Sequence, residues 1–131
     1  MVYRMVTDDL VAAQDRFLAA WNTYQAAWSG VSGNDRQRML DGSVAPHCVY
    51  TDPTSVSCGH RELTAKMQAT QRNFPGATFR NDKFVHHHDQ AISNWTMLDR
   101  DGNAIFAGTS YARFGDDGLL AQMTGFFEPV R

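Results

Sequence analysis

The fold class follows from residues 91–128, AISNWTMLDRDGNAIFAGTSYARFGDDGLLAQMTGFFE. Apolar and polar residues alternate here in three runs, which are separated by the turn sequences Asp99–Asn103 and Gly115–Gly118. Alternation with a period of two is typical of β-strands, and turns rich in Gly and Asp join antiparallel neighbours. With one more strand before them, the runs predict a four-stranded antiparallel meander, whose strands span Thr78 to Val85, Ala91 to Asp99, Ala104 to Phe114 and Leu119 to Glu128.

The chain before the meander has helical periodicity. A first helix is expected from Asp8, with Thr7 as its N-cap, to about Trp28. Its apolar face consists of residues that recur every three or four positions: Leu10, Phe17, Trp21, Tyr24 and Trp28. A short second helix is expected from an Asn34 cap through Leu40, closed by Gly42.

One strand and a third helix are expected between these helices and the meander. His47 to Asp52 has the composition of a strand and ends at Pro53. A polar stretch, Thr54 to Cys58, leads to a helix over about His60 to Arg72.

Helices that precede an antiparallel meander predict an α+β fold, in which three helices pack on one face of the sheet. Long twisted strands make such a sheet bend strongly. A bent sheet closed by helices forms a cone with an apolar interior. If the cone is wider than its side chains can fill, an internal pocket remains.

Composition excludes several functional classes. The 131 residues include 12 basic and 14 acidic side chains, without a basic block, so no nucleic acid partner is expected. The sequence has no apolar run of the roughly 20 residues that cross a bilayer, and no membrane association is expected. The first residues lack the apolar stretch of a signal peptide. We therefore expect one domain over residues 1–131 in a soluble, cytoplasmic protein.

Five segments resemble a known family in their order along the chain. The segments are Val49-Tyr50-Thr51-Asp52-Pro53, Gly59-His60-Arg61-Glu62-Leu63, Trp95 before Asp101-Gly102, Tyr111 to Gly118, and Gly125-Phe126-Phe127-Glu128. From about Trp21 to Glu128, the sequence is similar to the SnoaL-like group of the nuclear-transport-factor-2-like (NTF2-like) superfamily, which includes ketosteroid isomerase. The resemblance implies a cone of three helices and a bent sheet, an internal pocket, and a homodimer formed through the sheet. Members catalyse isomerisation, cyclisation or dehydration, and many are non-catalytic binding domains.

Asp52 is the first candidate catalytic residue, because it matches the general base of ketosteroid isomerase. A carboxylate at the mouth of an aromatic cavity is partly desolvated, and we expect its pKa to be raised toward useful values. Ketosteroid isomerase is an established case in which the surroundings of a carboxyl group tune its pKa for proton transfer. The alternative is that Asp52 only begins the turn at Pro53.

Three further residues are candidates to orient a substrate or stabilise an enolate. Tyr50 lies two positions before Asp52 and so shares its strand face. Ser110 occupies the position of the oxyanion-binding aspartate of ketosteroid isomerase, and a serine is the weaker acid. The family's first-helix tyrosine corresponds to Tyr24, with the indole N–H of Trp21 as an equal candidate. For Trp28, core packing is preferred.

The predicted ligand is a small hydrophobic carbonyl compound, polyketide-like or steroid-like, processed by a cofactor-independent isomerase or cyclase. Seven residues are expected to contact it: Trp21, Trp95, Phe106, Met123, Phe127, Met67 and His60. A non-catalytic ligand-binding or dimerisation module is the alternative. Metal-assisted chemistry at His86 and His88 is a weaker hypothesis, and no metal or cofactor is implied, since no third ligand has a suitable spacing.

Overall fold

The computed structural model describes residues 8–128, so the expected Thr7 cap lies outside the described residues. Three helices and six strands follow one another in the order α1 (Asp8–Ala26), α2 (Gly33–Ser43), β1 (Val44–Asp52), β2 (Ser55–Cys58), α3 (Gly59–Asn73), β3 (Thr78–His87), β4 (Gln90–Leu98), β5 (Ala104–Phe114) and β6 (Leu120–Phe126). The predicted α+β class is confirmed. None of the helices in this part of the chain is long and apolar enough to cross a membrane.

The ends of α2 differ from the prediction. Its N-cap is Ser32 rather than Asn34, because the Ser32 hydroxyl accepts a hydrogen bond from the backbone N–H of Asp35 at 3.1 Å. The helix also continues through Gly42 to Ser43. Gly42 has no positive φ, so the helical conformation passes through it without a break.

The strands form one sheet in the order β2-β1-β6-β5-β4-β3. All neighbours are antiparallel except β1 and β6, which are parallel, so the sheet is mixed rather than wholly antiparallel as expected. No strand was predicted in the polar stretch before α3, but Ser55–Cys58 pairs with β1 in a tight hairpin. This short strand is at the sheet edge, where polar side chains can face solvent.

The helices cover one face of the sheet. α1 packs against β3 and α2, and α3 packs against β1 and β2. Fully buried side chains between the layers include Leu40, Leu63, Met67, Leu120 and Met123. Register shifts interrupt four of the five strand pairings, and such irregularities increase the bend of a sheet.

Candidate functional site

A cavity of about 440 Å³ lies between α1, α3 and the sheet. Its wall is mainly aromatic and contains Trp21, Tyr24, Trp28, Tyr50, Phe74, Phe79, Trp95, Phe106 and Phe127. Polar groups are fewer, namely Gln25, Asp52, Thr54, Lys66, Thr70, Asn73 and Ser110. An aromatic wall with a few polar side chains is typical of a site for a flat organic molecule.

The aromatic wall on the sheet depends on Gly108. Trp95 on β4 lies directly over this glycine on β5, and a Cβ atom added to Gly108 would be 2.3 Å from Cζ2 of the indole. Edge-to-face contacts then join the Trp95 ring to Phe106 and Phe127, each with centroids 5.9 Å apart. The missing side chain at residue 108 therefore sets the position of the largest ring in the wall.

The two carboxylate oxygens of Asp52 have different surroundings. Oδ1 accepts hydrogen bonds from the backbone N–H groups of Thr54 and Ser55 at 2.8 and 2.9 Å, which close the turn between β1 and β2. Oδ2 accepts from the Tyr50 hydroxyl at 2.5 Å and lies 3.5 Å from Nζ of Lys66. Tyr50 and Lys66 both line the cavity, so one oxygen serves the turn and the other belongs to the site.

The expectation of a raised pKa for Asp52 is wrong. Burial does raise the pKa of this carboxyl, whose side chain is only 2% exposed. The hydrogen bonds from Tyr50 and Thr54 and the charge of Lys66 have the larger combined effect, and they lower the pKa below its ordinary value. Asp52 is therefore an ionised carboxylate at neutral pH and a weaker base than expected.

The neighbouring tyrosines remain protonated donors. Burial, together with the proximity of Tyr24 and Asp52, raises the pKa of Tyr50 far above its ordinary value. Burial also raises the pKa of Tyr24, an effect that a hydrogen bond with the Trp28 side chain partly offsets. Both phenols line the cavity in a wall that also contains Trp28, so Trp28 is a lining residue as well as a core residue.

Ser110 and Asp52 lie on either side of Gly125 in the sheet. Ser110 on β5 pairs with Gly125 on β6, and a Cβ atom added to Gly125 would be 3.6 Å from Cβ of Asp52 and 3.8 Å from the Tyr50 hydroxyl. The Ser110 oxygen accepts a hydrogen bond from Nε1 of Trp95 at 3.0 Å. Its own O–H group is thus oriented away from Trp95 and can donate elsewhere.

Eight of the candidate residues line the cavity, and three do not. Met67 and Met123 are wholly buried in the core beside the cavity. Met67 lies on the same buried face of α3 as Leu63. His60 lies at the start of α3, where Nε2 donates to the carbonyl oxygen of Val44 at 2.8 Å and Nδ1 lies 3.6 Å from Asp41. None of these three predicted ligand contacts lines the cavity.

The sequence prediction missed the polar side chains that α3 contributes to the cavity. Lys66, Thr70 and Asn73 line it, and Nζ of Lys66 also donates to the Thr54 hydroxyl at 2.8 Å. Their spacing of four and three residues places them on one helical face. That periodicity is visible in the sequence, but nothing local shows that this face meets Asp52.

The histidine run lies at the end of β3. His86 and His87 belong to β3, and His88 begins the following turn with a positive φ of 54°. Nδ1 of His86 lies 3.0 Å from the side-chain oxygen of Gln14. Within residues 8–128, no group of three or more His, Cys, Asp or Glu side chains is placed to hold a metal ion.

Comparison with known families gives one match over most of the chain. The SnoaL-like domain model matches residues 15–123. No protein with a curated description matches this sequence.

Solved structures share the same architecture. A proposed SnoaL-like isomerase from Agrobacterium tumefaciens is 23% identical, with 88% of this chain and 99% of that chain covered and a TM-score of 0.80. A proposed polyketide cyclase from Sinorhizobium meliloti is 18% identical over 82% and 93% of the two chains, with a TM-score of 0.66. A protein of unknown function with a cystatin-like fold from Methylobium petroleophilum is 14% identical over 90% and 79%, with a TM-score of 0.73. These likenesses confirm the NTF2-like cone.

Proposed function

Because the chain belongs to the SnoaL-like domain family, we propose that its cavity binds a flat, mostly apolar carbonyl compound and that Asp52 transfers a proton to or from it. One observation carries the proposal. An ionised carboxylate that is only 2% exposed lies on the wall of an aromatic cavity, with Oδ2 beside two other lining residues. A buried anion among aromatic rings is costly for the fold, and such groups concentrate at functional sites.

The lowered pKa of Asp52 restricts the chemistry. A general base works best when its pKa is near the operating pH, and this carboxylate lies well below it. The substrate carbon must therefore be acidic already, as it is between two carbonyl groups. This favours isomerisation, cyclisation or dehydration of polyketide-like 1,3-dicarbonyl compounds over proton removal next to a single ketone.

Hydrogen/deuterium exchange tests the proposal without knowledge of the natural substrate. A panel of aryl β-keto esters and simple aryl ketones is incubated with the protein in D₂O, and loss of the α-proton signal beyond the protein-free rate is followed by NMR. Asp52→Asn keeps an oxygen for the turn but removes the base, and we expect the catalysed exchange of the β-keto esters to fall about 100-fold or more.

Asp82→Asn is the matched control. Asp82 is a second strand carboxylate with a lowered pKa, held by hydrogen bonds from Thr96 and Arg80, and it does not line the cavity. This variant should exchange at the wild-type rate. Equal exchange in the wild type and in Asp52→Asn would remove Asp52 from the mechanism.

A non-catalytic binding module is the second candidate. It is favoured by the complete hydrogen bonding of Asp52, since both oxygens already have donors. Binding of the panel compounds without any catalysed exchange in the wild type would establish this function instead.

We also propose a homodimer formed through the face of the sheet that is turned away from the helices. On this face Phe126 is 60% exposed and Val49 is 39% exposed, although their strand neighbours Gly125 and Tyr50 are buried. Exposed large apolar side chains on one sheet face favour a partner surface.

A further inference from the structure

Gln25 places a primary amide in the aromatic wall of the cavity. It lies one helical turn after Trp21 on α1, lines the cavity and is only 7% exposed. Within residues 8–128, no hydrogen bond joins its side-chain amide to another group of the protein. A buried amide without a partner is unfavourable for the fold, so a ligand group that pairs with it gives the side chain a function.

Two other lining hydroxyl groups have already donated their protons. The Tyr50 hydroxyl donates to Asp52 at 2.5 Å, and the Thr70 hydroxyl donates to the carbonyl oxygen of Lys66 at 3.0 Å. Their oxygens can still accept a hydrogen bond. A ligand whose only polar group is a ketone oxygen can pair with none of these acceptors. The polar part of the wall therefore suits a ligand that also brings a donor.

We propose that the ligand of this cavity carries an enol or phenol hydroxyl group, which donates a hydrogen bond to Oε1 of Gln25. This inference rests on the proposed function and adds a substituent of the ligand and its subsite. The 1,3-dicarbonyl compounds proposed above exist partly as enols, whose O–H group is such a donor. An enol or phenol O–H lies in the plane of a flat skeleton, so it points toward the wall of the cavity rather than toward a stacked ring.

The charges of the cavity favour a neutral donor over an ammonium group. Among the described residues that line the cavity, the charged side chains are Lys66 and Asp52, and Nζ of Lys66 lies 3.5 Å from Oδ2 of Asp52. An ammonium group would be repelled by Lys66 and would find Asp52 already paired. Burial of a charge without a counter-charge is strongly unfavourable, whereas a hydroxyl group needs only an acceptor.

The test compares three kinds of ligand with the same ring skeleton. Hydroxy-1-tetralones with the hydroxyl group at different positions of the aromatic ring carry the donor, methoxy-1-tetralones carry the oxygen without its proton, and 1-tetralone carries neither. Calorimetry measures their affinities for the full chain in slightly acidic buffer, in which the phenols are neutral. We expect at least one hydroxytetralone to bind about fivefold more tightly than both its methoxy counterpart and 1-tetralone, since one neutral hydrogen bond is gained.

Gln25→Met removes both polar atoms of the amide and keeps the length of the side chain. This variant should lose the preference for the hydroxytetralone and should bind 1-tetralone at least as tightly as the wild type does. Gln68→Met is the matched control, because Gln68 is an exposed residue of α3 that does not line the cavity, and this variant should keep the preference.

NMR of the ¹⁵N-labelled wild type provides a second measurement. The side-chain NH₂ signals of Gln25 are identified as the pair that is missing from the spectrum of Gln25→Met. The hydroxytetralone should shift this pair by more than its methoxy counterpart does, because a hydrogen bond to Oε1 polarises the whole amide group.

Three results would overturn the inference in distinguishable ways. If the ketones bind to the wild type but the hydroxyl group brings no gain in affinity, the ligand class is wrong while the binding function stands. If the gain persists in Gln25→Met, or is lost in Thr70→Val instead, the hydroxyl group binds elsewhere and the Gln25 subsite is wrong. If no member of the series binds to the wild type, the proposed small-molecule function fails together with this inference.

Discussion

Replacement of Lys66 by Met should raise the pKa of Asp52. Nζ of Lys66 lies 3.5 Å from Oδ2, and the two side chains are 22% and 2% exposed. The Lys66 charge is the weakest of the influences that lower the pKa of Asp52, after the hydrogen bonds from Tyr50 and Thr54, so its effect lies at the low end of the range for an opposite charge, about 1 unit. We therefore expect the pKa of Asp52 to rise by about 1 unit or less in Lys66→Met.

The same change predicts how stability depends on pH. In the wild type the lowered pKa of Asp52 stabilises the folded state above the ordinary carboxyl pKa of about 4, and this contribution is lost as pH falls through the lower folded value. Lys66→Met should thus be less stable at pH 7 by about 1.4 kcal/mol or less, because one pKa unit corresponds to about 1.4 kcal/mol. The difference should shrink in acid as the carboxyl becomes protonated.

Two measurements check this prediction. Carbon-detected NMR follows the Asp52 carboxyl signal through an acid titration, and urea unfolding gives the free energy of unfolding at each pH. Lys66→Arg is the control, since it keeps the charge and should keep both properties close to those of the wild type. An Asp52 pKa in Lys66→Met that is equal to or below the wild-type value would refute the account of this carboxylate.

Two other predictions concern the wall and the outer face of the sheet. Gly108→Ala should destabilise the fold by about 1–3 kcal/mol in urea unfolding, because the added Cβ displaces Trp95, whereas Gly42→Ala, with nothing within 4 Å of the added atom, should be neutral or stabilising. Equal stability of the two variants would contradict the close packing of the indole. Sedimentation should show twice the 14.7 kDa chain mass, and Phe126→Glu should shift the species toward the monomer; a wild type that sediments only as the monomer would exclude the dimer.

Regular patterns predicted the elements well where one physical signal dominated. β5 has the predicted limits Ala104–Phe114, because uninterrupted alternation lies between two Gly- and Asp-containing turns. The limits of α3 were likewise predicted to within one residue at each end. The predicted limits failed where two signals competed, as at α2, where Ser32 caps the helix in place of the nearby Asn34.

The candidate site was predicted in its aromatic and acidic parts but not in its electrostatics. Asp52 and Ser110 could be selected through the resemblance to ketosteroid isomerase, and Tyr50 because it lies two positions before Asp52 on the same strand face. Lys66 could not, since its contact with Asp52 depends on how α3 crosses β1. For this reason the sequence suggested a raised pKa, whereas the packed molecule lowers it.

The sequence by itself determined the order of the three helices and of five of the six strands, and which side chains share a face, because periodicity and turn residues are local properties of the chain. Only the tertiary structure decided which inward-facing residues border the cavity and which fill the core, as with Trp95 and Met123. It also decided the charge state of Asp52, and it left the buried indole N–H of Trp21 without a hydrogen-bond partner among residues 8–128. These properties depend on distances between segments far apart in the chain, and those distances are fixed only when helices and sheet pack together.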